Sequence, residues 1–273
     1  MSGDRWIEVG DGVLVRRHAE LDLNTGLVLG NGGCLVVDTR GDAVHGAELA
    51  AAVREITRDP WTVVITHAHF DHSFGTSAFL PAPVWAQAGC VSALREHPGE
   101  YREGWVRRYR AEGKPQRADA LAATAVTLPD HSVTERVSVR IGGRRVEFRY
   151  FGSGHTDHDL VVHIPDAGVV FAGDLVEHDP DGSLIPESFG PETSVDDWPD
   201  ALTGLLGLRA RVVVPGHGEP VDDSFVDTQR ADLVSISLLR KDVLAGRRTL
   251  EDAARVAPVT EAVLRSALES PRR

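Results

Sequence analysis

Cysteine, lysine and long apolar runs are all scarce in this chain. The only two cysteines among 273 residues, Cys34 and Cys90, stand far apart and lack the close spacing of a metal or redox pair. That argues against a disulfide-stapled fold and against a cysteine-rich zinc module, and it points to reduced, buried thiols in a cytoplasmic protein. No stretch offers the roughly 18 consecutive apolar residues of a spanning helix. The first residues, Met1 to Glu8, contain no apolar core of a signal peptide, so neither membrane insertion nor export is expected. Lysine occurs only as Lys114 and Lys241 among 29 basic residues, a bias without functional weight. Forty-one acidic residues leave a formal charge of −12, which argues against a protein built to grip nucleic acid.

What is present suits one large α/β domain over residues 1–273, since 42% hydrophobic residues can bury a substantial core. Residues 7–38 alternate short strand-like runs with turns at Gly10-Asp11-Gly12 and Gly30-Asn31-Gly32-Gly33, the pattern of a hairpin meander. Ala43–Thr57 carries Val44, Ala47, Ala51 and Ile56 at helical spacing and leads through Pro60 into an apolar strand. Residues 87–124 predict a helical insertion, and residues 126–173 return to strands. Ser194 is read as the N-cap of a helix reaching Leu208. Helices are expected again over Thr228–Ala245 and from a capping box at Thr249 to the end, making a helical C-terminal extension over about 223–273. No repeat or low-complexity tract is evident.

The densest chemistry lies in His67-Ala68-His69-Phe70-Asp71-His72, four potential metal ligands just past the β-branched run Trp61–Ile65. Imidazole and carboxylate suit Zn²⁺ and related transition metals, and His67 and His69 can share a direction on an extended segment. Asp71 and His72 turn toward a second point. A solvated histidine-rich loop is the competing explanation, and three later strand ends weigh against it. His155 follows the Gly152-Ser153-Gly154 turn, Asp174 closes the apolar run Val169–Gly173, and His217 follows Val212–Gly216. A carboxylate closing a buried strand is costly unless a cation meets it.

These residues, in this order, resemble the metallo-β-lactamase superfamily of metallohydrolases over roughly residues 7–220. The resemblance implies a four-layer αβ/βα sandwich with the site at one edge between two sheets. It implies one metal held by His67, His69 and His155, a second by Asp71, His72 and His217, and Asp174 bridging them. Two zinc ions are the expected cofactor, with iron or manganese as substitutes. The implied chemistry is attack of a metal-bridging hydroxide on an ester, lactone or thioester, with Asp71 orienting the nucleophile. Many true β-lactamases of the family carry Cys at the fourth ligand and, three residues on, a Lys that binds the drug's carboxylate. Here Asp174 and Glu177 stand there, which turns the reading away from β-lactams.

Two other classes compete with the hydrolase. Persulfide dioxygenases of the same superfamily use one Fe(II), at positions corresponding to His67, His155 and Asp174; a non-catalytic metal-binding protein is the third reading. The expected partner is a small-molecule substrate, not nucleic acid or a membrane, and the C-terminal helices could pack on the body or form a homodimer contact. In the insertion, Tyr101, Trp105 and Tyr109 form an aromatic stripe read chiefly as core, and the basic residues Arg95 to Arg117 are read chiefly as a solvated, ion-paired face. His158 and His178 are weaker candidates for the cleft. His18, His45, His97, His131 and His163 are read as surface or satisfied core, and Asp38 as a helix cap or a support to the ligands.

Overall fold

A computed structural model describes residues 5–97, 99–179 and 182–271. Strands β1 (Trp6–Gly10), β2 (Val13–Arg17), β3 (Asn24–Leu29) and β4 (Cys34–Val37) form an antiparallel meander. Helix α1 (Ala43–Ile56) crosses over to β5 (Trp61–Val64), which lies parallel to β4. A short helix α2 (Phe70–Ser73) follows, then β6 (Val84–Gln87), the insertion helices α3 (Ala88–Glu96), α4 (Glu100–Ala111) and α5 (Pro115–Ala123), and β7 (His131–Val133). These seven strands make one sheet in chain order. Strands β8 (Arg136–Ile141), β9 (Arg144–Tyr150), β10 (Leu160–Ile164), β11 (Val169–Gly173) and β12 (Val212–Pro215) make the second. The crossover from β11 to the parallel β12 runs through α6 (Trp198–Leu206), and α7 (Asp223–Leu244), α8 (Leu250–Ala254) and α9 (Glu261–Glu269) follow.

The period of two along each central strand builds the layers. In β4, Cys34 and Val36 face α1 and the insertion, whereas Leu35 and Val37 face the other sheet. In β10 and β11, Val161 and Val170 meet α6 and α7, whereas Leu160, Val162, Val169 and Phe171 fill the space between the sheets. Strands buried on both faces must be apolar at every position, which is why these runs read as continuous β-branched stretches. Three cores stacked in this way are the three interfaces of an αβ/βα sandwich.

Local chemistry corrects three helix boundaries. Ser194 does not cap α6: its hydroxyl donates to Asp197 Oδ2 at 2.6 Å, its carbonyl accepts from the Trp198 N–H, and the helix begins only at Trp198. Helix α7 starts five residues before Thr228, because the Asp222 carboxylate accepts from the Ser224 and Phe225 N–H groups. The expected helix from Thr249 onward is two, broken around Pro258 and restarted by the Thr260 side chain, which accepts from the Val263 N–H. The Thr249 cap is formed, its hydroxyl oxygen accepting from the Asp252 N–H at 3.0 Å.

Truncating a side chain between the sheets should therefore cost far more than truncating one on α7. Leu160→Ala, at a fully buried position, is expected to destabilise by about 2–5 kcal/mol. Leu238→Ala, 60% exposed, should stay within about 0.5 kcal/mol. Urea unfolding of chelator-treated protein measures both, and equal losses would contradict this layering.

Candidate metal centre

The site is assembled from the loops that follow β5, β11 and β12 and the loop between β9 and β10, all opening on one edge of the sandwich. The first cluster brings together His67, His69, His155 and Asp174, the second Asp71, His72 and His217; within each, the ligand atoms lie within 4.8 Å of one another. His69 Nδ1 is 3.1 Å from His155 Nε2, and His72 Nε2 is 3.4 Å from His217 Nε2. Asp174 lies between the clusters. Its Oδ1 is 3.2 Å from His72 Nε2, and its Oδ2 is 3.5, 3.6 and 3.4 Å from the Nε2 atoms of His67, His155 and His217. Asp71 Oδ2 is 3.5 Å from His217 Nε2.

The backbone leaves room for this convergence at two glycines. A Cβ on Gly216 would fall 1.7 Å from Asp174 Oδ1, and Gly173, at φ +54°, would push a Cβ to 2.8 Å from the Thr66 side chain. Neither position admits a larger residue without moving the carboxylate or the strand that leads to the histidine run.

Hydrogen bonds behind the ligands decide which ring nitrogen faces inward. His72 Nδ1–H donates to Asp38 Oδ2 at 2.8 Å, and the Thr66 hydroxyl donates to the same oxygen at 2.9 Å. Thr66 Oγ1 in turn lies 3.1 Å from His67 Nδ1, whose proton it accepts. Asp38 thus fixes one histidine of each cluster, and its other oxygen accepts the Thr66 N–H. His155 Nδ1–H donates to the Ser188 carbonyl at 3.1 Å and His217 Nδ1–H to the Leu21 carbonyl at 2.7 Å. His67, His72, His155 and His217 therefore turn Nε2 lone pairs inward. His69 is reversed, with Nδ1 inward and Nε2 3.8 Å from the Glu192 carboxylate.

This donor set fits bound cations. Lone pairs on facing imidazoles repel unless positive charge lies among them, His67 Nε2 is buried without a hydrogen bond, and Asp174 Oδ1 is buried out of hydrogen-bonding alignment. Without a metal, protons take that place. Burial opposes a charge on His217, but Asp174 above all lifts it to about 9; burial likewise opposes charge on His72, yet Asp174, Asp71 and Asp38 raise it well above the ordinary value. Burial holds His67 well below it and His155 down to about 4. Asp174, although burial favours its neutral form, is kept far below the usual carboxylate range by His72, His217 and His67.

A cleft of about 650 Å³ opens over the clusters, walled by Leu21, Phe70, Trp105, Ile185 and Pro191; outside the ligand set its charged lining is Arg108 with the carboxylates Asp22, Glu177, Asp179, Glu187 and Glu192. Glu177 is buried, takes a short hydrogen bond from the Ser188 hydroxyl, and is pushed up to about 8 by burial and by Asp174. No cation stands at this position to anchor a substrate carboxylate.

The remaining sequence candidates separate cleanly. His158 is buried outside the cleft, where its Nε2 accepts the Ala68 N–H at 3.2 Å and braces the histidine run. His178 lines the cleft and holds the last loop: its N–H donates to the His217 carbonyl, and its Nδ1 accepts the Glu219 N–H. His18, His45, His131 and His163 pair with Thr25, Asp42, Asp130 and Glu147 away from the ligands. The aromatic stripe divides: Trp105 forms cleft wall, Tyr109 is buried core, and the Tyr101 side chain lies outside the described residues. The basic face is ion-paired, Arg107 with Glu103, Arg108 with Glu112 and Glu187, and Arg110 with Asp119. Sequence reasoning missed Glu192 and the Ser188 and Leu21 carbonyls, which carry no motif.

The family model described as the metallo-beta-lactamase superfamily matches residues 20–217. A metallo-beta-lactamase type 2 from Bacteroides fragilis is 28% identical over 103 residues, covering 37% of this chain and only 40% of that protein. The acyl-coenzyme A thioesterase MBLAC2 of Gallus gallus is 28% identical over 209 residues, 71% of this chain and 72% of that one. Among solved structures, the sec-alkylsulfatase Pisa1 from Pseudomonas sp. superposes with a TM-score of 0.78 at 16% identity, covering 97% of this chain and 50% of that one.

Two outcomes test the centre. Asp38→Ala should lower zinc affinity about 10–100-fold in competition with a chelator, because it frees one histidine of each cluster. Zinc affinity of the wild-type protein should rise between pH 6 and 9, because metal must displace the protons that Asp174 helps His217 and His72 to hold, and each binding event should release protons in weakly buffered titrations. A pH-independent affinity between pH 6 and 9 would contradict the arrangement.

Proposed function

The chain belongs to the metallo-β-lactamase superfamily, and from that membership we propose a dinuclear zinc hydrolase of an ester, lactone or thioester with an apolar acyl group. The observation that carries the two-metal reading is Asp174, a single carboxylate within 3.6 Å of imidazoles from both clusters. His67, His69 and His155 would hold one ion, Asp71, His72 and His217 the other, and Asp174 both. When bound, such ions supply Lewis-acid polarisation of a carbonyl and an acidified water near neutral pH.

The chain's own residues do the rest. Leu21, Phe70, Trp105 and Ile185 exclude water from the acyl chain and set its direction toward the ligands. Asp71 orients the attacking water from the second cluster. In the net reaction the water oxygen forms the new bond to the acyl carbon, the bond from that carbon to sulfur or oxygen breaks, and the thiol or alcohol leaves with a proton. The similarity to an acyl-coenzyme A thioesterase over most of both chains supports the thioester among the three. The position three residues beyond Asp174 is held by Glu177, not a cation, which disfavours a substrate anchored by a carboxylate at that wall.

Zinc-loaded protein is expected to contain about two ions per chain and to hydrolyse short acyl thioesters or lactones faster than β-lactams. Asp71→Asn should lower kcat/KM on the order of 100-fold, the scale of one positioned acid–base group. Equal turnover by wild type and a metal-loaded His69→Ala variant would defeat the scheme, as would a single iron with oxygen consumption on glutathione persulfide.

A further inference from the structure

A second pocket of about 390 Å³ adjoins the metal cleft and shares Leu21, Trp105 and Arg108 with it as a common wall. Its other side belongs to the insertion, which contributes Lys114 and Arg117. In a chain of formal charge −12, this recess beside the cleft sets three cations against two carboxylates, a lining of net charge +1. The recess also contains Glu20 and Glu112, and their geometry explains what they do there.

Glu112 sits between two of the cations, 2.9 Å from Arg108 Nε and 2.6 Å from Lys114 Nζ, and outside the recess Arg108 also pairs with Glu187 at 3.3 Å. Glu20 is pulled inward: its carboxylate accepts from the Tyr109 hydroxyl at 2.9 Å, lies 3.4 Å from His45 Nε2, and pairs with Arg117 from behind. Arg108, Lys114 and Arg117 remain 40–47% exposed at their side chains, with donors left over after these contacts. The Arg108 guanidinium lies 4.6 Å over the Trp105 ring, and Lys114 Nζ lies 5.8 Å over Tyr109. The two carboxylates and two rings thus orient three cations in advance, which lowers the ordering cost of gripping an anion.

We infer that this recess is an anion subsite for the leaving group, so that the substrate is an acyl thioester whose thiol carries phosphate. The inference rests on the thioester reading of the metal cleft. The acyl chain lies in the apolar cleft, the thiol passes the Trp105 and Arg108 wall, and the phosphate meets Arg108, Lys114 and Arg117. The chemistry that Arg108, Lys114 and Arg117 recognise is the phosphate ester, supplied by either end of a carrier such as coenzyme A.

The test compares one acyl group on coenzyme A and on phosphate-free pantetheine. Wild-type zinc-loaded protein should favour the coenzyme A thioester in kcat/KM by about tenfold or more, chiefly through KM. Lys114→Ala and Arg117→Ala should each shrink that ratio, whereas Arg265→Ala on α9 should leave it as in wild type. Equal kcat/KM for the two thioesters in the wild type would overturn the subsite. If neither thioester is hydrolysed, the thioester reading fails by itself, and the subsite is judged by Trp105 fluorescence with adenosine 3′,5′-bisphosphate and with pantetheine 4′-phosphate. Saturable binding of either that weakens in Lys114→Ala supports an anion site and says which phosphate occupies it; binding of neither rejects it.

Discussion

Four imidazole lone pairs turned toward one buried carboxylate are stable only with positive charge among them, and the rest of this structure is organised around that condition. Asp174 alone at the end of β11 would be strongly disfavoured in a position only 5% exposed. Facing His67, His72, His155 and His217, it becomes the centre of a charge-balanced cage, provided protons or metal ions complete it. The raised values of His72 and His217 show the metal-free protein meeting the condition with protons. Metal binding is then an exchange of cations more than the filling of a hole.

The sandwich supplies the stiffness this cage needs. The loops after β5, β11 and β12 leave strand ends buried on both faces, which cannot shift without disturbing two cores at once. The loops are then tied across the sheets: Asn24 Nδ2 donates to the carbonyls of Pro215 and Gly218, and the Leu160 N–H donates to the Thr66 carbonyl. Asp38, left-handed at φ +61° just past β4, is the strongest of these ties because it fixes rings of both clusters. A non-glycine residue held in that conformation needs compensation, and three hydrogen bonds to its carboxylate provide it.

The convergence of His67, His69, Asp71, His72, His155, Asp174 and His217 was legible in the sequence because histidine and aspartate at strand ends are chemically distinctive and oddly placed. The four-layer architecture was legible through continuous β-branched runs, since only strands buried on both faces can be apolar throughout. What escaped were features whose identity depends on three-dimensional context. The carbonyls of Leu21 and Ser188 look like any others until a ring donates to them, and Glu192 has no spacing that links it to His69. Ser194 carried a proper capping signature, but Asp197 three residues on competes for its hydroxyl. Tyr101, Trp105 and Tyr109 read as one stripe, yet the structure sends Trp105 to the cleft and Tyr109 to the core.

Glu177 shows how burial alters the charge that a side chain carries in the unfolded sequence. Read linearly, it places a negative charge where a carboxylate-binding lysine stands in many β-lactamases. Folded, it is enclosed with Ser188 and Asp174, and burial together with Asp174 pushes it up to about 8. The consequence for specificity is the missing anchor: no cation stands at that wall to hold a carboxylate. An anionic substrate is then admitted only if its charge finds cations elsewhere. The recess of Arg108, Lys114 and Arg117 offers them on the far side of the wall that Leu21, Trp105 and Arg108 form with the cleft.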